Sequence, residues 1–162
     1  MKKTFLTVAT ILLLIACNNE TQQQNSEQQN NATMETSTQK SAIEKLLFAY
    51  RDALNVSDVN KVLPLYAQEG VFMPTNAPTS IGQAQIKDAY EFVFKNIQLK
   101  IAFHIDEIVV NGDYAFARTT SKATTLIHAT GQTTPEENRE LFVLQKENGS
   151  WKIARYMFNK MK

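Results

Sequence analysis

His104 and Asp106 stand two residues apart in an alternating stretch, so on a strand their side chains share one face. His128 follows near the end of the next such stretch. A His–Asp pair can serve as a general base with its orienter, or lend two ligands to a metal. Two histidines without H-x-x-x-H or comparable spacing favour the plainer reading, a hydrogen-bonded structural or surface pair. Arg118, Glu140 and Arg155 are charges set among apolar neighbours. Arg118 falls on the face of Tyr114, Phe116 and Thr120, and Arg155 on that of Trp151, Ile153, Met157 and Asn159. Buried charges are ordinarily paired, which makes an ion-pair cluster the default. The alternative is that an arginine, with Asn159, offers donors to an anionic or carbonyl-bearing ligand. Tyr50, Tyr66, Phe72, Met73, Tyr90 and Phe94 supply an aromatic and sulfur-rich surface, which is core first and fits an apolar pocket with a few polar handles second. The catalytic candidates are thus His104, Asp106 and Glu140, and the ligand-binding candidates Tyr50, Phe72, Met73, Phe94, Arg118, Arg155 and Asn159.

Much chemistry is excluded. No serine lies in a G-x-S-x-G setting, and there is neither G-x-G-x-x-G nor a Walker pattern, so no nucleotide cofactor is expected. A single cysteine permits no intrachain disulfide and no cysteine-built metal site, and no metal is expected. The 17 Lys and Arg residues are scattered against 16 Asp and Glu, which argues against nucleic acid as a partner.

The lone cysteine, Cys17, follows Met1-Lys2-Lys3 and an apolar run from Thr4 to Ala16. That run is shorter than the roughly 20 residues of a membrane span and suits the core of an export signal. Leu14-Ile15-Ala16-Cys17 resembles the bacterial lipobox. The resemblance implies cleavage before Cys17, lipid on its thiol, and a chain held at the cell envelope through membrane lipid. Residues 1–16 are then a removable signal. Loss of Lys2 and Lys3 leaves 15 basic against 16 acidic residues, a formal charge of −1. In the 23 residues 18–40, 11 are Asn or Gln and only Ala32 and Met34 are apolar, so with Cys17 they read as a disordered tether with a reach of about 25–30 Å.

Residues 41–162 must position the candidate groups. Ser41 to Glu44 forms a capping-box pattern, and Ile43, Leu46, Leu47, Tyr50 and Leu54 then define one helix face. Ser57 can cap a short second helix that Pro64 splits, and Gly70 is a natural stop. Val71 to Met73 reads as a short strand, and a helix with Ile86, Ala89, Tyr90, Val93, Phe94 and Ile97 on one side follows Gly82. The period then changes to two over 99–110, 114–129, 138–147 and 151–159, with Asn-Gly turns at Asn111 and Asn148 and a polar loop over 130–137. The class is α+β, helices on one face of an antiparallel sheet. The last strand is apolar on both sides, which predicts that the second face is covered, most simply by a homodimer.

This order resembles the nuclear transport factor 2-like superfamily, the cone-shaped fold of ketosteroid isomerases and SnoaL-type cyclases. The stretches Asn138 to Val143 and Gly149 to Asn159 are similar to its SgcJ/EcaC or YybH-type group. The resemblance implies three helices wrapped on a curved antiparallel sheet, an open-ended pocket and frequent dimers. In the isomerases it also implies a carboxylate base before a proline on the first strand, a tyrosine on the first helix and a protonated acid on a late strand. Here Tyr50 matches the tyrosine and Met73 falls on the base position. The acid position falls near Leu141 or Phe142, with Glu140 eligible only after a one-residue shift. That set is not retained. The expectation is a lipid-anchored domain binding a small, largely apolar ligand. Alternatives are a SnoaL-like isomerase, cyclase or hydratase acting on a carbonyl compound, or a dimeric interaction module without a ligand.

Overall fold

The computed structural model describes the backbone of residues 17–161 and the side chains of 29–161. The segment expected to be an export signal, residues 1–16, and the side chain of Cys17 lie outside what is described. Helix α1 runs Cys17–Asn55, followed by α2 (Val59–Val62), a 3₁₀ turn (Leu63–Leu65), β1 (Tyr66–Met73), β2 (Ser80–Ile81), α3 (Gly82–Asn96), β3 (Ile97–Asn111), β4 (Tyr114–Ile127), β5 (Thr133–Glu147) and β6 (Ser150–Lys160). Two compact units divide the chain, one ending at Thr36 and one covering Ser37–Lys162. No described helix is long and apolar enough to cross a membrane.

Residues 18–40 are helical rather than coiled. They contain no glycine or proline, and extending an existing helix costs far less than nucleating one. The hydroxyls of Thr33 and Thr36 bond back to the carbonyls of Gln29 and Ala32 at 2.8 and 2.9 Å, so even the polar side chains fit a helical backbone. The capping box at Ser41 accordingly starts nothing, because the helix is already under way.

In the second unit the apolar stripe does what its spacing requires: Ile43, Leu47, Tyr50 and Leu54 are buried. Asp58, not Ser57, caps α2, its side chain accepting from the Asn60 N–H at 3.0 Å. Pro64 sits in the 3₁₀ turn that ends α2 after one turn. Gly70 does not stop a helix; it lies inside β1, where a Cβ would meet the Ala67 carbonyl and the Tyr66 ring at 3.0 Å. The polar segment expected as a loop shortens, since β5 begins at Thr133 and pairs through Thr133 to Gln145 with β4.

The six strands form one sheet, ordered β2-β1-β6-β5-β4-β3, with β1 parallel to β6 and the other neighbours antiparallel. Its inner face carries the core, led by Ala115, Ala117, Phe142, Leu144 and Ile153. The two-sided apolar pattern of β6 has a local cause. Leu144 pairs with Ile153 but Val143 pairs with Arg155, so Ala154 is an extra residue and the strand changes phase there. Trp151 and Ile153 face the core before this bulge and Tyr156 after it, while Arg155 and Met157 are exposed.

Candidate functional site

Between the inner face of the sheet, α1 and α3 lies a cavity of about 200 Å³. It is lined by Tyr50, Phe72, Tyr90, Ile101, Tyr156 and Phe158, with Asn138 and Glu140 among its polar residues. A wider groove of about 540 Å³ shares Phe72, Pro74, Thr75, Val93 and Phe158 with it and is bounded by Ala77 to Ser80 and by Asp88, Ala89 and Phe92 of α3. Period-two alternation on β5 sends Asn138, Glu140, Phe142 and Leu144 inward together, and all four are buried.

Glu140 is 4 % exposed. The Thr119 hydroxyl donates to its Oε2, and the Ser121 hydroxyl donates to Oε1 at 2.8 Å. Both donors come from the inward row of β4, and Thr119 is the direct cross-strand partner of Glu140. Burial raises the carboxyl above its ordinary range, the Thr119 and Ser121 hydroxyls each lower it by less, and the charge of Asp106 adds a smaller rise. Asn138 is 5 % exposed, and its Oδ1 has no hydrogen-bond partner within the protein. At the rim Glu136 is tied to Lys160 at 2.7 Å, and the Thr75 hydroxyl donates to the Phe158 carbonyl at 2.6 Å.

On the helical side Tyr50, Tyr66 and Tyr90 meet hydroxyl to hydroxyl. Tyr50 bonds Tyr90, and Tyr66 bonds Tyr90 at 2.9 Å. Burial holds these three phenols and that of Tyr156 well above the usual tyrosine range, so they stay neutral hydroxyls. Phe72 stacks between Tyr90 and Tyr156, with centroids at 5.0 and 5.5 Å, and Tyr156 stacks on Phe142 at 4.3 Å.

Tyr50 and Phe72 therefore occupy the cavity wall, as their residue types suggest. Phe94 packs on Tyr90 without lining the cavity. Met73 pairs with the exposed Met157, on the face opposite Phe72. Arg118, Arg155 and Asn159 point outward as well. Arg118 bonds Asp106 at 2.8 Å and Glu107 at 3.0 Å, and Arg155 donates to the carbonyls of Glu69 and Ala154. Asn159 is exposed and pairs across strands with Arg139. The bulge at Ala154 is what turns Arg155, Met157 and Asn159 away from the side of Trp151. His104 is an exposed side chain 3.6 Å from Asp106, and both belong to the outer face with Arg118. None of these outward groups serves the cavity.

Glu140 is the main correction. It shares its face with Phe142 and lies buried in the cavity wall, so an acid is available on that side of the strand. Asn138 and the Thr119–Ser121 pair are not among the sequence candidates: their polar types recur at every second position, but the strand alone does not say which parity faces inward. Among the described residues no three His, Cys, Asp or Glu side chains gather as a metal site.

A curved sheet wrapped by helices around an apolar cavity defines the nuclear transport factor 2-like cone fold. The SnoaL-like domain family matches residues 47–156, and the chain belongs to it. It is similar to a ketosteroid isomerase-like protein from Erwinia carotovora atroseptica, with 35% identity, 75% of this chain and 95% of that one covered, and a TM-score of 0.73. It is also similar to a nuclear transport factor 2-like superfamily protein from Salmonella enterica, with 25% identity, 77% and 92% coverage, and a TM-score of 0.70. A conserved protein from Planctomyces limnophilus shares the fold at 16% identity, 77% and 99% coverage, and a TM-score of 0.69. No curated protein matches the chain.

Proposed function

We propose that the domain binds a small, largely apolar molecule in the cone, with one polar group of that molecule meeting Glu140 and Asn138. The observation that carries this reading is the apolar cavity itself, whose wall includes the buried Glu140 and Asn138, the latter with an unpartnered Oδ1. Such an acceptor costs stability unless something donates to it. Native mass spectrometry of the purified chain, with a thermal-shift screen, tests the reading. A co-purifying or added small molecule should raise the melting temperature, and a screen at high concentration that moves it nowhere would remove the support.

Acid–base chemistry on a carbonyl compound is a second reading, favoured by Glu140 itself. A carboxyl raised by burial can stay protonated and donate to a carbonyl oxygen. The first-strand base position is filled by Met73, which faces away, so binding without turnover is the better supported of the two. Recovery of an unchanged ligand supports binding, and a changed one supports chemistry.

Anchoring through lipid on Cys17, at a bacterial cell envelope and with residues 18–40 as spacer, is proposed from the lipobox resemblance. Cys17→Ser should move the protein out of the membrane fraction, and persistence there would refute the anchor. A homodimer through the outer sheet face is proposed from the exposed Phe116, Leu141 and Met157 on neighbouring strands. Sedimentation of a Phe116→Lys variant as a monomer would support it.

A further inference from the structure

Glu140 is a buried carboxylate with no cation beside it. Its two protein partners, Thr119 and Ser121, are hydroxyls, and no Lys, Arg or His among the described residues forms an ion pair with it. The one cation on the cavity wall, Lys160, is held by Glu136 at 2.7 Å. A carboxylate offers about four lone-pair directions, and the hydroxyls occupy two. Two residues along the same face of β5, Asn138 Oδ1 adds a second acceptor without a donor. That end of the cavity therefore holds a buried carboxyl with no cation and an acceptor with no donor, while the rest of the wall is largely hydrocarbon and aromatic ring, the hydroxyls of Tyr50 and Tyr90 being bonded to each other.

We infer that the polar group recognised in this cavity is an ammonium, so that the ligand class is a small organic amine carrying an apolar ring or chain. An ammonium supplies three donors and one positive charge, which matches the unfilled directions at Glu140 and the free acceptor at Asn138. The apolar body lies along Phe72, Ile101 and Phe158 toward the groove that opens beside α3. The part seated in the cavity of about 200 Å³ is a single six-membered ring with a short substituent, since about 150 Å³ accommodates benzene. A ligand carboxylate fits this end less well, because it would bring a second acidic group beside Glu140 while the one cation in the wall, Lys160, is already held by Glu136.

The inference rests on the binding reading above and specifies its polar group. The test titrates the full chain with benzylamine and with benzyl alcohol, near-isosteres that differ in charge, by calorimetry at neutral pH. Benzylamine should bind at least tenfold tighter. Glu140→Gln keeps an acceptor and a donor for Thr119 and Ser121, and should bring the two affinities within about twofold of each other by weakening benzylamine. The wild-type ratio decides the matter even where that variant folds poorly. Equal affinities, or tighter benzyl alcohol, would overturn the ammonium assignment and leave the binding reading standing. An amine preference that survives Glu140→Gln would place the amine outside the cavity and overturn the assignment too. Failure of both probes to bind would overturn the ammonium assignment, and the thermal-shift screen would then decide the binding reading.

Discussion

Asn138→Leu keeps the branching and heavy-atom count of the side chain, adds volume beside a cavity of about 200 Å³, and removes one buried amide. In the wild-type domain that amide is 5 % exposed, its Oδ1 is unpartnered, and its neighbours in the cavity wall include Leu99, Ile101 and Ala123. An unsatisfied buried acceptor carries a desolvation cost of about 1–3 kcal/mol. Leucine relieves it and adds apolar contact, while the β5 ladder uses only main-chain groups at this position. The variant should therefore be more stable by about 1–3 kcal/mol. For a domain of this size that is roughly 3–15 °C in melting temperature. In urea it is a midpoint raised by about 0.5–2 M at an unchanged slope. Paired urea titrations followed by tryptophan fluorescence measure it, since Trp151 is buried in the same sheet. The stabilised variant should also lose affinity for any ligand that donates to Asn138, because positions kept for binding are seldom the most stable choice. A midpoint that falls, or stays level at the same slope, would refute the reasoning, for it would mean the amide is satisfied and belongs to the fold alone.

Tyr90→Phe removes the hydroxyl shared by Tyr50 and Tyr66 and should cost about 1–3 kcal/mol in urea unfolding, with the ring stack on Phe72 retained. Because burial raises the Glu140 carboxyl, the unfolded chain ionises first as pH rises. The folded state thus loses stability from the ordinary glutamate range up through the raised value. Glu140→Gln should remove that loss, so its melting temperature minus that of wild type should grow across this window, and a constant difference would contradict it. Asn55→Ala removes two hydrogen bonds to the Ile101 backbone, at 2.7 and 2.9 Å, and should cost about 1–3 kcal/mol with faster hydrogen exchange at the Ile101 amide.

The helix stripe of α1, the division of α2 at Pro64 and the four long strands were legible because each is a local pattern with one period. What could not be read was phase. Counting by twos along β6 puts Ile153 and Met157 on one side, and only the pairing of Val143 with Arg155 shows that Ala154 breaks the count. The same blind spot affected Glu140: parity alone places it with Asn138 and Phe142, yet nothing local says which parity of β5 faces inward. The cavity was legible as composition, in Tyr50 and Phe72, and illegible as chemistry. Its acceptors lie on β5 and its hydroxyl donors on β4, and cross-strand register brings them together.

Sheet order leaves β3 at one edge with 15 residues, long enough to recruit a stranger's strand. The other edge, β2, has two residues and offers no such template. On β3, the amide of Asn55 bonds both the N–H and the C=O of Ile101, standing in for the strand that would otherwise add there. Farther along, the register shift between Ile105 and Glu107 breaks the flat run a second time. A helix-terminal side chain thus acts as a guard against polymerisation. Its loss would expose the domain to edge-to-edge growth under crowding, a hazard set by concentration rather than by folding free energy.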